Sequence, residues 1–119
     1  MTKEIREYII EKTKELLEAP SCCAELKAQA QAWMDAAGTD AEADETRKYI
    51  AELEEDIIPI DGLIAFAGSE HAVQIFGEEG AKNMAEHARK IKAEGAVYCD
   101  CAACTAAAEI LEKKAELLG

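Results

Sequence analysis

The sequence has few of the residues that build β-sheets and none of the motifs that mark common enzymes. Only two valines and six aromatic residues occur among its 119 positions, whereas alanine occurs 24 times. Strands favour β-branched and aromatic side chains, while alanine, leucine, glutamate and lysine are strong helix formers. No Ser-His-Asp order, phosphate-binding loop or dinucleotide fingerprint is present, so we favour a non-catalytic role. The composition predicts an all-α fold.

Basic residues are also scarce. The chain carries 13 lysines and arginines against 25 acidic residues, which gives a formal net charge of -12. Such a surface repels phosphate backbones and anionic lipids, so we expect neither nucleic acid nor a membrane as partner. No window approaches the roughly 18 apolar residues of a membrane span. The first residues mix both charges, unlike a secretory signal. We therefore expect a cytoplasmic protein, and its alanine-rich helices could pack as a homodimer.

Hydrophobic periodicity divides the chain into five or six short helices. The predicted segments span residues 2–18, 22–37, 39–58, 60–76, 78–94 and 101–118. The connections between them are short, which favours antiparallel neighbours. We therefore predict a single domain over residues 1–119, built as a mostly antiparallel helical bundle.

Polar residues and glycines indicate where several of these helices begin and end. Ser21 is the predicted N-cap of the second segment and Asp100 that of the last. Thr39 and Glu42 have the spacing of a capping box. Gly38 follows the second segment, where a left-handed C-cap is expected.

The stretch from 60 to 94 permits two interpretations. It could form a helix over 60–76, bent at Gly68, followed by a second helix after a break near Gly77. It could instead contain one long helix over 69–94. We favour the break, since glycine costs about 1 kcal/mol inside a helix. With the break, the second and last segments start at the same end of the bundle.

The chain contains five cysteines, in two groups. Cys22 and Cys23 are adjacent, and Cys99, Cys101 and Cys104 form a C-x-C-x-x-C pattern. Cytoplasmic thiols are kept reduced, so clustered cysteines indicate metal or redox chemistry before structural disulfides. All five lie in or just before the first turn of a predicted helix. Backbone amides and the helix dipole stabilise thiolates there.

A four-thiolate metal site is the favoured interpretation. Cys99, Cys101 and Cys104 supply three ligands, and either Cys22 or Cys23 supplies the fourth. Zinc is the first choice of metal because a closed tetrahedral site of four sulfurs suits it. An iron–sulfur cluster also accepts four cysteines and is the alternative cofactor.

Two other readings of the cysteines stay open. In a thiol-redox protein, Cys101 would be the attacking thiolate and Cys104 the resolving partner. In a helical scaffold or chaperone-like interaction protein, the cysteines would be inert packing residues.

The remaining polar and aromatic candidates favour structural roles. His87 lies at the edge of an apolar stripe and His71 on a solvated face, so neither is a preferred metal ligand. The acidic run over 51–59 is expected to form a solvated face. Four aromatic residues are expected in the core: Trp33, Tyr49, Phe66 and Phe76.

Three stretches of the sequence carry a resemblance to a known group of proteins. "SCCAEL", "YIAELEEDIIPIDGLIAFA" and "YCDCAAC" resemble a group of small bacterial proteins of unassigned function. Some members are labelled as heat-shock chaperones of the ninety-kilodalton class. A helical chain of 119 residues cannot hold that chaperone's α/β ATP-binding domain. The resemblance therefore implies a helical fold and no particular activity.

Overall fold

A computed structural model describes residues 1–118, and these residues form seven helices. The helices are α1 (Lys3–Glu18), α2 (Ala24–Ala36), α3 (Glu42–Asp56), α4 (Ile60–Ala67), α5 (Glu70–Ala93), α6 (Ala102–Leu111) and α7 (Lys114–Leu118). Within the described residues there is no strand, only an isolated bridge between Pro59 and Tyr98. The prediction of an all-α fold is confirmed.

The chain divides into two compact units. One contains Met1–Ile57 together with the chain from Cys101 onwards, and the other contains Ile58–Asp100. In the first unit α1 packs against α2 and α6, and α3 packs against α2, α6 and α7. In the second unit α4 packs against α5. Across residues 1–118, no helix is both long enough and apolar enough to cross a lipid bilayer.

The core of the first unit is built around two aromatic side chains, and the polar atom of each is hydrogen-bonded to a threonine. Trp33 and Tyr49 are buried, with ring centroids 5.7 Å apart. The Trp33 indole N–H donates to the Thr46 hydroxyl at 2.9 Å, and the hydroxyls of Tyr49 and Thr13 are hydrogen-bonded at 2.9 Å. Buried polar groups are costly unless they are paired, so these bonds allow both rings to fill the core. Both residues were predicted in the core.

The break predicted near Gly77 is present. Gly77 has φ 79° and ψ 166° and interrupts α5 with non-helical backbone. A side chain at this φ would clash with the backbone, which is why glycine is found there. The interpretation of one uninterrupted helix over 69–94 is therefore wrong.

Other predicted helix boundaries were wrong. The segment over 60–76 is divided, because α4 ends before Gly68 and Ser69 caps α5 by accepting from the Ala72 N–H at 3.3 Å. The segment over 101–118 is also divided, since a turn at Lys113, whose N–H donates to Ile110 at 3.0 Å, separates α6 from α7. With α5 counted as one helix across Gly77, these two divisions give seven helices instead of five or six.

The predicted capping box was also wrong. Ala41, not Thr39, is the N-cap of α3, and it makes no side-chain cap hydrogen bond. The Glu42 carboxylate accepts from the Gly38 N–H at 2.5 Å and from the Arg6 guanidinium at 2.6 Å. The carboxylate is therefore used in a contact with α1 that its sequence neighbours do not reveal. Gly38 itself has φ 81°, which confirms the predicted left-handed helix end.

The second unit has a small, alanine-rich core. The buried residues of α5 are all alanines: Ala72, Ala81, Ala85 and Ala88. Phe76 is 50% exposed, so its predicted core position was wrong. It instead meets Phe66 edge-on at the surface, with the ring centroids 6.4 Å apart.

Candidate metal centre

Three cysteine sulfurs lie together in the structure. The Sγ atoms of Cys99, Cys101 and Cys104 are all within 4.8 Å of one another. Cys99 and Cys104 are buried, and Cys101 is half-buried. The three residues belong to one stretch of six, so the local course of the chain brings their side chains together. Among the described residues, this is the one group of three or more potential metal ligands this close together.

Backbone hydrogen bonds hold Cys99. The segment around it runs antiparallel to the segment that precedes α4. The Cys99 N–H donates to the Ile58 carbonyl at 2.8 Å, and the Ile60 N–H donates to the Val97 carbonyl at 2.9 Å. These two bonds flank the bridge between Pro59 and Tyr98. They fix the backbone of Cys99 before the chain enters α6.

Cys101 and Cys104 are positioned by the first turn of α6. Cys101 is the N-cap, with extended backbone at φ -63° and ψ 160°. Its sulfur accepts a hydrogen bond from the Cys104 N–H at 3.4 Å. A cap acceptor at this position satisfies an amide that the helix leaves unpaired, and a thiolate is favoured there by the helix dipole. Cys104, in the first turn of α6, is buried.

Asp100 is not the N-cap of α6, which corrects the sequence prediction. Its carboxylate lies 2.7 Å from the His87 Nε2 in an exposed pair. His87 was expected at the edge of an apolar stripe, and its side chain is 51% exposed. His71 is exposed, as predicted, and its ring lies 6.0 Å from Phe66. Neither histidine belongs to the group of potential ligands found in the described part of the chain.

The vicinal pair, Cys22 and Cys23, is not part of the 4.8 Å group. It does lie at the end of the first unit where α6 begins, because the Ala103 N–H donates to the Ser21 hydroxyl at 3.4 Å. Ser21 is therefore bonded to α6 and does not cap α2, whose N-cap is Cys23. The predicted start of the second helix was wrong by two residues.

The two adjacent thiols differ in their surroundings. Cys22 is buried, and its thiol donates to the Cys23 carbonyl at 3.6 Å. Burial raises the pKa of the Cys22 thiol, and nearby Cys23, Asp56 and Cys101 raise it further, while Lys27 opposes them. Cys23 is exposed. The pKa of its thiol is also raised, first by desolvation and then by contact with Asp56.

A pair of carboxyl groups beside Cys23 was missed in the sequence. Hydrogen bonding to Asp56 and then desolvation raise the pKa of Glu52 to about 7. The Asp56 Oδ2 is buried without a hydrogen-bond partner within the described residues. Residues four apart share a helix face, so the i, i+4 spacing of Glu52 and Asp56 around buried Leu53 was the available signal. The acidic run is therefore not uniformly solvated.

The three gathered sulfurs suit a soft metal ion. Thiolate ligands select zinc, copper(I) and iron–sulfur clusters. In a tetrahedral zinc site with Zn–S bonds of about 2.3 Å, sulfurs lie roughly 3.8 Å apart. The sulfurs of Cys99, Cys101 and Cys104, within 4.8 Å of one another, need to move by only about an ångström to meet that spacing. The donor set therefore fits a bound metal ion.

Comparisons of this chain with protein-family models, with curated proteins and with solved structures find no significant match.

Proposed function

We propose that this protein binds one zinc ion through the thiolates of Cys99, Cys101 and Cys104, with a fourth thiolate from the vicinal pair. The observation that carries the proposal is the gathering of three sulfurs within 4.8 Å. Two of the three are buried, which is typical of a closed structural site rather than a catalytic site with an open position. The proposed role is binding or structural, not catalytic.

The spacing favours a single ion over an iron–sulfur cluster. One zinc ion bonds directly to all its sulfurs and draws them to roughly 3.8 Å from one another. In an iron–sulfur cluster the four cysteines are divided among two or four irons, so three of their sulfurs do not all bind one metal atom and are held farther apart. The sulfurs here are already within 4.8 Å. Because such a site needs reduced thiols, we propose that the protein works in a reducing compartment such as the cytoplasm.

Elemental analysis tests the proposal directly. Protein purified without a metal-affinity tag is expected to contain about one zinc per chain, consistent with a closed thiolate site. The matched control is the triple variant Cys99→Ser, Cys101→Ser and Cys104→Ser, which should contain none. Circular dichroism would show whether the control keeps its helices. Wild-type protein that stays metal-free after incubation with zinc under reducing conditions would exclude this function.

The hydrogen bond between Cys101 and Cys104 favours a second candidate, a thiol-redox protein. The Cys104 N–H donates to the Cys101 sulfur at 3.4 Å, and such a bond stabilises the thiolate needed for thiol–disulfide exchange. In that case pH-dependent alkylation should detect one thiol that reacts well below its ordinary pKa, and the 101–104 pair should oxidise reversibly. Bound zinc that suppresses both behaviours would favour the metal-binding function.

A further inference from the structure

We propose that Cys22, and not Cys23, supplies the fourth thiolate of the zinc site. The inference rests on the proposed function, because it assigns a ligand to that same site. It also separates the roles of two adjacent cysteines that the sequence cannot distinguish.

The first support is burial. The Cys22 side chain is at the edge of the core, with the residue only 8% exposed, whereas Cys23 is exposed. Cys104, the innermost of the three gathered cysteines, is 6% exposed. Ligands of a closed structural zinc site are shielded from water together. Cys22 is shielded from water to a similar degree as Cys104, and Cys23 is not.

The second support is the way the chain holds Cys22 near α6. The Ser21 hydroxyl accepts from the Ala103 N–H at 3.4 Å, and each of these residues is the immediate neighbour of a thiol, Cys22 in one case and Cys104 in the other. The Cys22 N–H donates to the Ala19 carbonyl at 3.2 Å, which closes a turn after α1. Cys22 is thus fixed by its own backbone next to the first turn of α6.

The third support is the direction of the two side chains. The backbone at Cys23 is extended, at φ -70° and ψ 158°. Adjacent side chains on non-helical backbone point in different directions, so the two members of the pair do not both face α6. The Cys23 thiol is hydrogen-bonded to Asp56 on α3. Cys22 is therefore the member available to α6.

Binding requires a local change at Cys22, whose sulfur lies outside the 4.8 Å group. Its S–H now donates to the Cys23 carbonyl at 3.6 Å, which is a weak bond. When zinc binds, the S–H bond breaks, the proton passes to solvent, and the sulfur lone pair forms the bond to zinc. Rotation about the Cα–Cβ bond between staggered positions moves the sulfur without moving the backbone. No oxidant or reductant takes part.

The test compares Cys22→Ser with Cys23→Ser, which are matched in chemistry and adjacent in sequence. Zinc X-ray absorption counts the sulfurs bound to the metal, and competition with a chromophoric chelator measures affinity. Cys23→Ser should keep four sulfurs and wild-type affinity. Cys22→Ser should show three sulfurs and one lighter atom, with zinc affinity reduced at least about 10-fold, since loss of even an outer partner costs that much.

The reverse pattern, or four sulfurs in both variants, would overturn the assignment to Cys22. If wild-type protein binds no zinc, the proposed function fails before this assignment is reached, so the two failures are distinguishable. If Cys22→Ser does not fold, Cys22→His keeps a metal ligand at the position. Three sulfurs and one imidazole at zinc in that variant would support the assignment, and four sulfurs would overturn it.

Discussion

The two cysteine groups of this protein contain similar residues in similar places, yet they have different geometry. In the C-x-C-x-x-C stretch the three sulfurs lie within 4.8 Å of one another. In the vicinal pair one thiol is buried and the other is exposed. The first stretch passes from extended backbone at Cys101 into the first turn of α6, which brings side chains two and three positions apart onto one side. Adjacent residues on extended backbone diverge instead. Spacing, more than the number of cysteines, determines which group can gather a metal ion.

Removal of zinc should produce the largest effect if the gathered sulfurs are the metal site. Metal that binds only the folded state adds about 4 kcal/mol to the free energy of unfolding when it is present at 1,000 times its dissociation constant. A chelator should therefore lower the midpoint of thermal unfolding of the wild-type protein. The triple cysteine variant should unfold at the same temperature with or without chelator. Equal unfolding of wild-type protein in both conditions would contradict the site.

Single substitutions in the two cysteine groups should differ in how far they lower the affinity of the protein for zinc. Cys104→Ser removes a buried ligand, so the loss should exceed about 100-fold, the upper end for loss of an outer-shell partner. Cys23→Ser should leave affinity unchanged. Both can be measured by competition against a chromophoric chelator, and equal losses in the two variants would remove the distinction between the groups.

The carboxyl pair beside Cys23 should make stability depend on pH. The pKa of Glu52 is raised from 4.5 to about 7 in the folded protein, so the folded state resists its ionisation. As pH rises from about 4.5 to 7, the unfolded chain ionises first, and stability falls until the folded group has ionised as well. Glu52→Gln should therefore stabilise the protein above pH 7 and have little effect near pH 4.

Urea unfolding at pH 4 and pH 8 measures this difference. Glu79→Gln, an exposed carboxyl in α5, is the matched control and should change stability little at either pH. A Glu52→Gln variant that is no more stable than wild-type protein at pH 8 would contradict the raised pKa of Glu52.

Loss of the hydrogen bond between the Ala103 N–H of α6 and the Ser21 hydroxyl should have the smallest effect on stability. Ser21→Ala removes the acceptor of the Ala103 N–H, a bond of 3.4 Å, and should lower the free energy of unfolding by about 0.5–1 kcal/mol. Hydrogen exchange of the Ala103 amide should become faster. Unchanged exchange at Ala103 would indicate that the two helix starts are not joined in solution.

The helices and much of the core could be predicted because they depend on local pattern. The spacing of Trp33 and Tyr49 within their apolar stripes placed both in the core, and Gly77 marked a break because glycine disfavours helix interiors. The N-caps could not be predicted in the same way. Ser21 and Asp100 have good capping side chains, but Ser21 bonds to α6 and Asp100 to His87. Contacts between distant parts of the chain determined these partners.

The candidate site was partly predictable for the same reason. The proximity of Cys99, Cys101 and Cys104 follows from six consecutive residues, so their spacing was sufficient to predict it. The environment of Cys22 and Cys23 depends on α3 and α6, which are distant in sequence. The contact of Cys23 with Asp56 arises from that packing, and no short pattern in the sequence encodes it. The raised pKa of Glu52 comes first from Asp56 on the same helix, at a spacing that the sequence does show.

Alkylation of each cysteine with and without zinc, read by mass spectrometry, tests the central claim most directly. The account predicts that zinc protects Cys99, Cys101 and Cys104 from alkylation, protects Cys22 with them, and leaves Cys23 reactive. Equal reactivity of Cys99, Cys101 and Cys104 in the presence and absence of zinc would contradict it.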